Sequence, residues 1–332
     1  MLSSYVKIFN IILNSGEIPN EWLLGNIIPI YKRKGAQNDP RNYRPITILS
    51  CVGKLFTSLL NNRLTMLSDE LNIICENQAG FRKGYSTIDN IFVLNSLIDI
   101  LKNKKKKLFC AFVDFEKAFD KVWRTAMGHK LLTYNINGKI FKVILNMYDD
   151  IKSRILFQGE ISEYFSCNNG LRQGENLSPF LFAIYMNDLE KYFLDKNITG
   201  LSTIGQELED KLFIYLKLFI LLYADDTVFM AESGADLQNQ LDWFCEYCKQ
   251  WKLKVNIDKT KVMVFSNGRM PKCRFKLESQ NIEIVKEFVY LGVVFSRGGS
   301  FIKTIKRNVN KGTQAMYDIL RKGRIHNLSL SC

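Results

Sequence analysis

The stretch Phe219-Ile-Leu-Leu-Tyr-Ala-Asp-Asp-Thr-Val-Phe-Met-Ala231 holds two short apolar runs, Phe219 to Tyr223 and Thr227 to Ala231, on either side of Ala224-Asp225-Asp226. Runs of this length predict two strands of a hairpin with acids at its tip. A third run, Leu108 to Val113, is continuously apolar, has strand length and ends abruptly at Asp114. Adjacent carboxylates repel, and beside a buried sheet that repulsion is costly. A divalent cation relieves it. Mg²⁺ takes one or two carboxylates and leaves room for substrate phosphates. Two ions about 3.5–4 Å apart activate an attacking hydroxyl and hold the leaving oxygen in phosphoryl transfer. Taken singly, Asp-Asp reads as a polar turn and Asp114 as a helix cap. Together, in a strongly basic chain, they read as a metal site.

Working outward, the pattern mixes helices and strands without a βαβ rhythm, which predicts an α+β fold. Ser50 is placed to cap a helix running to about Leu67, with Leu55, Phe56, Leu59 and Leu60 inward. Ser86 and Asp89 form a capping-box pattern before Ile91, Leu94, Ile98 and Leu101 at helical spacing. A helix is expected near Lys139 to Ile151. Arg154 to Gln158 and Glu163 to Ser166 read as strands joined at Gly159-Glu160. Leu177 to Phe193 reads as one helix, with Pro179 in its first turn. Ser233 opens a helix to about Trp251, with Leu237, Leu241, Phe244 and Trp251 inward. Val262 to Phe265, Ile282 to Val285 and Val289 to Phe295 are strand candidates, and a basic helical tail starts at Phe301.

The chain has 332 residues, enough for one large domain or two small ones. Apolar residues at 47% and charged residues at 24% exclude collagen-like, disordered and coiled-coil classes. Its net charge of +13 predicts an anionic partner, nucleic acid ahead of an acidic membrane surface. Met1 to Asn14 holds Lys7 and lacks a small-residue cleavage site, so no signal peptide is read. The apolar run Leu212 to Tyr223 contains Lys217 and is too short to span a bilayer. Eight scattered Cys suit reduced thiols in an intracellular protein. Cys245 and Cys248 lie in a helical pattern, and with only His129 and His326 in the chain no zinc site is expected. Lys104 to Lys107 reads first as a solvated loop, with nuclear import or phosphate contact as other readings.

Several further motifs stand in order along the chain. They are Asn42-Tyr-Arg-Pro-Ile46, Ala79-Gly-Phe-Arg82, Phe112-Val-Asp-Phe-Glu-Lys-Ala-Phe-Asp120, Gly170-Leu-Arg-Gln-Gly-Glu-Asn-Leu-Ser-Pro179, Tyr223-Ala-Asp-Asp226, Asn256-Ile-Asp-Lys-Thr-Lys261 and Tyr290-Leu-Gly292. In content and order they resemble the reverse transcriptases of non-LTR (LINE-type) retrotransposons, from about Gly25 to Phe295. The resemblance implies a right-hand polymerase fold, with fingers, an antiparallel palm sheet and a partial thumb. It implies an RNA-directed DNA polymerase, a nucleotidyltransferase that extends a primer 3′-hydroxyl on an RNA template with dNTPs and two Mg²⁺, for which Mn²⁺ substitutes.

On that resemblance Asp114, Asp225 and Asp226 are the catalytic, metal-holding carboxylates, and Phe115 offers a backbone carbonyl to one metal. Lys259 protonates the leaving pyrophosphate. Arg44 and Lys32 bind the triphosphate, the first with forked donors and the second as a point charge. Gln173 and Gly174 lie along the incoming base and sugar, with Phe119 beneath the sugar as a steric gate. Tyr290, Leu291 and Gly292 form the primer grip, and Arg82 touches the template. The expected division is a helical extension at 1–24, a reverse transcriptase domain of fingers and palm at 25–295, and a truncated thumb at 296–332. LINE proteins of this kind carry an endonuclease upstream, so here it is expected to be supplied elsewhere. Expected partners are an RNA template, a DNA primer or RNA–DNA hybrid, and dNTPs, with no membrane. The location is intracellular: the nucleus if the protein acts on chromosomal DNA, the cytoplasm otherwise. Two other readings are kept. One is a catalytically idle retroelement remnant that binds RNA or hybrid. The other is a membrane-surface protein using Lys303, Lys306, Arg307 and Lys311 beside Phe301 and Ile305.

Overall fold

A computed structural model describes residues 2–198, 201, 220–266, 268, 271–299 and 301–325. The start of the Leu212 to Tyr223 run with Lys217, strand residue Phe219, and His326 with the tail to Cys332 lie outside the described residues. In chain order the elements are α1 (Leu2–Ser15), α2 (Asn20–Leu23), β1 (Leu24–Tyr31), β2 (Tyr43–Ile48), α3 (Cys51–Glu70) and α4 (Thr87–Asn103). Then come β3 (Leu108–Val113), α5 (Arg124–Thr133), α6 (Gly138–Met147), β4 (Lys152–Phe157), β5 (Glu160–Ile161), β6 (Phe165–Ser166), α7 (Ser178–Met186) and α8 (Leu189–Asp195). The rest are β7 (Ile220–Tyr223), β8 (Asp226–Ala231), α9 (Gly234–Gln250), β9 (Lys261–Phe265), β10 (Phe275–Leu277), β11 (Gln280–Ile284), β12 (Glu287–Tyr290), β13 (Val293–Ser296) and α10 (Ile302–Ile325).

The central sheet runs β10-β11-β9-β3-β8-β7. All neighbours are antiparallel except β11 and β9, so the sheet is mixed rather than purely antiparallel. β3 sits deep inside it. Phe109, Ala111 and Val113 belong to one core with Phe182, Phe229 and Phe244, on the side of α7 and α9. Leu108, Cys110 and Phe112 belong to a second core with Leu94, Ile98, Tyr290 and Phe295, on the side of α4 and the β12–β13 ribbon. Burial on both faces is why β3 reads as an unbroken apolar run.

A second sheet runs β2-β1-β4-β5 with β6 also on β4, in the part of the chain expected to form the fingers. Its base is fastened to the loop that carries Gln173. The Thr47 N–H donates to the Gln173 carbonyl at 2.9 Å. Gly174 has φ +111°, and a Cβ there would stand 2.7 Å from the Thr47 carbonyl oxygen, so the approach needs glycine. In the described part of the N-terminal segment, Phe9 packs on Trp22 and Phe56, and Ile12 and Trp22 enter the main core.

Most expected elements form, and four differ in a physical way. The Ser50 cap is present, accepting from Gly53 N–H at 3.3 Å. However, Leu55 and Leu59 are exposed, and the inward face runs Gly53, Phe56, Leu60, Leu64, because Gly53 lies against the Trp22 ring. The expected helix to Phe193 breaks at Asn187, whose side chain donates to Ile73 O (2.7 Å) and accepts from Cys75 N–H (2.8 Å). Val289 to Phe295 is not one strand but two, turning at Leu291 and Gly292, which both have positive φ. The turn after β4 is Gln158-Gly159, again both at positive φ, one residue earlier than expected. The capping box at Ser86 and Asp89 is complete. Cys245 and Cys248 lie in α9, and among the described residues no group of three or more His, Cys, Asp or Glu side chains is placed as a metal-holding cluster. Among them, too, no helix is long and apolar enough to cross a membrane.

Candidate active site

β3 and β8 pair with Val113 opposite Thr227. Carried one residue further, the same register puts Asp114 across from Asp226. Tyr223 pairs with Asp226 across the hairpin, so Ala224 and Asp225 alone make its turn. The Asp114 backbone is pinned as well: its carbonyl accepts from Asn256 N–H (2.8 Å) and its N–H donates to Thr260 Oγ1 (3.3 Å). Asp114, Asp226, Lys259 and Tyr290 line one cleft of about 590 Å³.

The electrostatics of this corner are those of crowded acids. Removal from water, then the Asp114 charge, raises the Asp225 carboxyl above its ordinary value. Asp226 faces the cleft, yet partial desolvation, then Asp225 and Asp114, push it up to about 6. Lys259 acts against both shifts, and its Nζ sits 3.1 Å from Asp114 Oδ2. The donor set is carboxylate oxygen, with no histidine or thiol among it, which fits a hard divalent cation.

A pH test follows. Asp226 has a folded pKa above its unfolded value, so its contribution is present below about pH 4 and is lost as pH rises through about 6. Without metal, Asp226→Asn is expected to melt progressively higher than the parent chain between about pH 4 and 6 and to hold that gain above it. The melting-point gain on adding Mg²⁺ to the parent grows over the same interval. Scanning fluorimetry at stepped pH reads both, and a gain that ignores pH contradicts the shared-cation arrangement.

The remaining expected site residues fall into three groups. Gln173, Gly174 and Phe119 are brought together. The loop at Gly170 docks on the turn Phe119–Lys121, with Leu171 N–H donating to Phe119 O (2.8 Å) and Gln173 Nε2 to Asp120 Oδ1 (2.9 Å). Phe119 is half-buried, stacks on Phe182 with centroids 4.7 Å apart and meets Phe81 edge-on. Lys32 is near enough to act on the Asp120 carboxyl, while its Nζ donates to Arg41 O at 2.8 Å. Exposed Arg44 stands opposite Ile30 on the β1–β2 ribbon.

The second group, Tyr290, Leu291 and Gly292, forms the end of β12 and its turn. Tyr290 is buried beside the acids, its hydroxyl 3.3 Å from Asn90 Nδ2, and burial raises its phenol well above the ordinary value. Phe115 is likewise buried and bridges to Val255. The third group is Arg82 alone. Its guanidinium braces its own loop, donating to Cys75 O (3.2 Å) over the Tyr85 ring.

Three residues escaped the sequence reading. Arg172 and Glu175 lie inside a quoted motif but form a buried ion pair (3.3 Å), tied to Trp22 O and the Tyr148 hydroxyl, so they support the loop from below. Gln78 stands one residue before a quoted motif, and only its long-range contacts mark it.

A palm sheet with acids where its central strands end, flanked by a fingers sheet, is the arrangement of a right-hand polymerase. Solved structures share that fold: apo telomerase from Candida tropicalis aligns with TM-score 0.54 and 15% identity, over 87% of this chain and 57% of that one. The family described as reverse transcriptase (RNA-dependent DNA polymerase) matches residues 30–295, and the chain belongs to it. Polymerases of this family use divalent metal ions. Among curated relatives, the RNA-directed DNA polymerase from the mobile element jockey of Drosophila melanogaster is 26% identical over 90% of this chain. The polyprotein of retrotransposable element R2DM, also from Drosophila melanogaster, is 26% identical over 89% of it. The chain spans 31% and 27% of those two relatives.

Proposed function

We propose that this chain is the fingers-and-palm core of a retrotransposon reverse transcriptase. It extends a DNA primer on an RNA template with dNTPs. The observation that carries this is the meeting of Asp114 with the Asp225-Asp226 turn beside Lys259, in a chain of this family. Asp114, Asp225 and Asp226 would hold two Mg²⁺, or Mn²⁺ in their place, with the Phe115 carbonyl as a further donor. Bound there, the metals would lower the barrier to attack by the primer hydroxyl and neutralise the departing pyrophosphate. Lys259, whose Nζ lies 3.1 Å from Asp114 Oδ2, would donate a proton to that leaving group. Gln173, Gly174 and Phe119 orient base and sugar, Arg44 and Lys32 hold phosphates, Tyr290, Leu291 and Gly292 seat the primer end, and Arg82 lies toward the template. Residues 25–295 carry the reaction, 1–24 brace it, and α10 within 296–332 supplies part of a thumb. The proposed site of action is the cell nucleus if the protein works on chromosomal DNA, and the cytoplasm otherwise.

Extension of a DNA primer on an RNA template, with dNTPs and Mg²⁺ or Mn²⁺, tests the whole reading. A protein that binds hybrid in a salt-dependent way and extends nothing would be an idle remnant instead. Sugar choice tests one part. A large ring beneath the sugar leaves a 2′-hydroxyl neither space nor a partner. Phe119→Val is expected to raise rNTP use relative to dNTP use by about tenfold or more, given the usual cost of such a clash. Competing rNTP and dNTP extension measures it. An unchanged ratio with stability lowered by roughly 1–4 kcal/mol makes Phe119 a packing residue only.

A further inference from the structure

The turn that carries Asp225 is held from outside its own sheet. Residues 77–80, between α3 and α4, lie along the free edge of β7. Leu222 N–H donates to Asn77 O and Ala79 N–H to Leu222 O, both at 2.9 Å, with Gln78 and Leu222 in parallel register. At that point the Gln78 side chain, 1% exposed, turns toward the hairpin. Its Oε1 accepts from Gly80 N–H and from Ala224 N–H, each at 3.0 Å.

The Ala224 N–H needs this acceptor. In a two-residue hairpin loop the first N–H points away from the ladder and finds no partner within it. Ala224 is buried, so water does not satisfy it. It also sits at φ +57°, a conformation that an alanine holds only when its surroundings fix it. Gly80 completes the clamp: a Cβ there would lie 2.2 Å from the Ala224 nitrogen. Asn90 adds a second tie, its Nδ2 donating to Leu222 O (3.2 Å) and to the Tyr290 hydroxyl. The Gln78 amide nitrogen has no partner among the described residues, so the acceptor end of the side chain is the part the fold uses.

We propose that Gln78 is a positioning residue for the metal-binding aspartates. By taking the Ala224 N–H, it fixes the direction in which Asp225 and Asp226 present their oxygens to divalent cations. Because Phe81 follows Gly80 and meets Phe119 edge-on, the same segment links Phe119 to the catalytic turn. The inference rests on the reading of those aspartates as cation ligands.

The test is Mn²⁺ binding, followed by electron paramagnetic resonance on the full chain below its melting point, alongside primer extension. Gln78→Met keeps the side-chain length and removes the acceptor. It is expected to weaken the Mn²⁺ binding that Asp225→Asn abolishes, by about ten- to hundredfold, with a parallel fall in kcat. Gln78→Glu keeps an acceptor in place and is expected to retain most of the affinity. A purely structural role would lower the melting point of Gln78→Met and leave the Mn²⁺ affinity of the folded molecules as it was; that result overturns the proposal. So does equal loss in Gln78→Glu and Gln78→Met. If Gln78→Met does not fold, Gly80→Ala, which pushes on the same nitrogen, decides: unchanged Mn²⁺ affinity again overturns it. A parent chain with no Mn²⁺ binding sensitive to Asp225→Asn overturns the cation reading itself, a separate outcome.

Discussion

Asp225→Asn is expected to remove primer extension, by about a thousandfold or more, and to leave affinity for an RNA–DNA hybrid within about twofold. The size follows from what the substitution deletes. Preorganised charge aimed at a reacting phosphate is commonly worth two to three powers of ten per group, and a metal ligand acts on both attack and departure. Binding survives because hybrid affinity comes from cations along its backbone, and removing one negative charge does not weaken that attraction. The amide also relieves the repulsion that raises the Asp225 and Asp226 carboxyls, so the fold is not penalised. Single-turnover extension and a fluorescence-anisotropy titration separate the two quantities. Loss of both together would indicate misfolding, and loss of neither would remove Asp225 from the reaction.

The second large effect lies behind the sheet. Lys130 is 2% exposed, and its Nζ reaches Asp188 Oδ1 (2.5 Å), the Tyr247 hydroxyl (3.1 Å) and the Tyr185 carbonyl, with the Trp251 ring 3.9 Å away. Burial pushes its ammonium down to about 8, and Asp188 acts the other way. This one group joins α5, the end of α7, the residue that opens α8, and α9, on the side of the sheet that carries the main core. Lys130→Ala removes the cation facing the Asp188 carboxylate, which keeps its hydrogen bond from the Tyr247 hydroxyl (2.6 Å), takes a donor from the Tyr185 carbonyl and opens a cavity. A loss of about 2–5 kcal/mol is expected from urea unfolding, the range of large-to-small changes at buried sites, since the Asp188 side chain is 29% exposed and is not left as a buried lone charge. Lys130→Met keeps the stem and loses less. A change below about 1 kcal/mol in Lys130→Ala would show that the ammonium contributes little net stability.

What was legible in the sequence follows the range of the interaction. β3 and the β7–β8 hairpin announce themselves because strands buried on both faces are written as short apolar runs, and acids that end them stand out. Caps at Ser50, Ser86 and Ser233 were legible because a cap is settled within three residues. The fingers strands β1 and β2 were not assigned. Each carries a proline, at Pro29 and Pro45, and their faces are only partly covered, so alternation is blurred. The face of α3 was misjudged because a glycine holds a core position there, which no hydrophobic count credits. The break at Asn187 and the clamp at Gln78 depend on partners more than a hundred residues away, and no local pattern encodes them. Among the site residues, the three aspartates were readable from charge against apolarity. Gln78, Arg172 and Glu175 were not, since their importance lies in whom they touch.

The Thr47–Gln173 hydrogen bond has a mechanical consequence. It anchors the fingers ribbon at its base, where Thr47 also presses on Gly25, while the stretch from Tyr31 to Tyr43 projects beyond that anchor. A rigid swing of the whole ribbon would have to break the tie to the very loop that carries Gln173. Bending is therefore resisted at the base and easiest in the outer half, so the ribbon is built as a cantilever: Lys32 and Arg44 stand on its free part, and its fixed end keeps the register of Gln173 and Gly174.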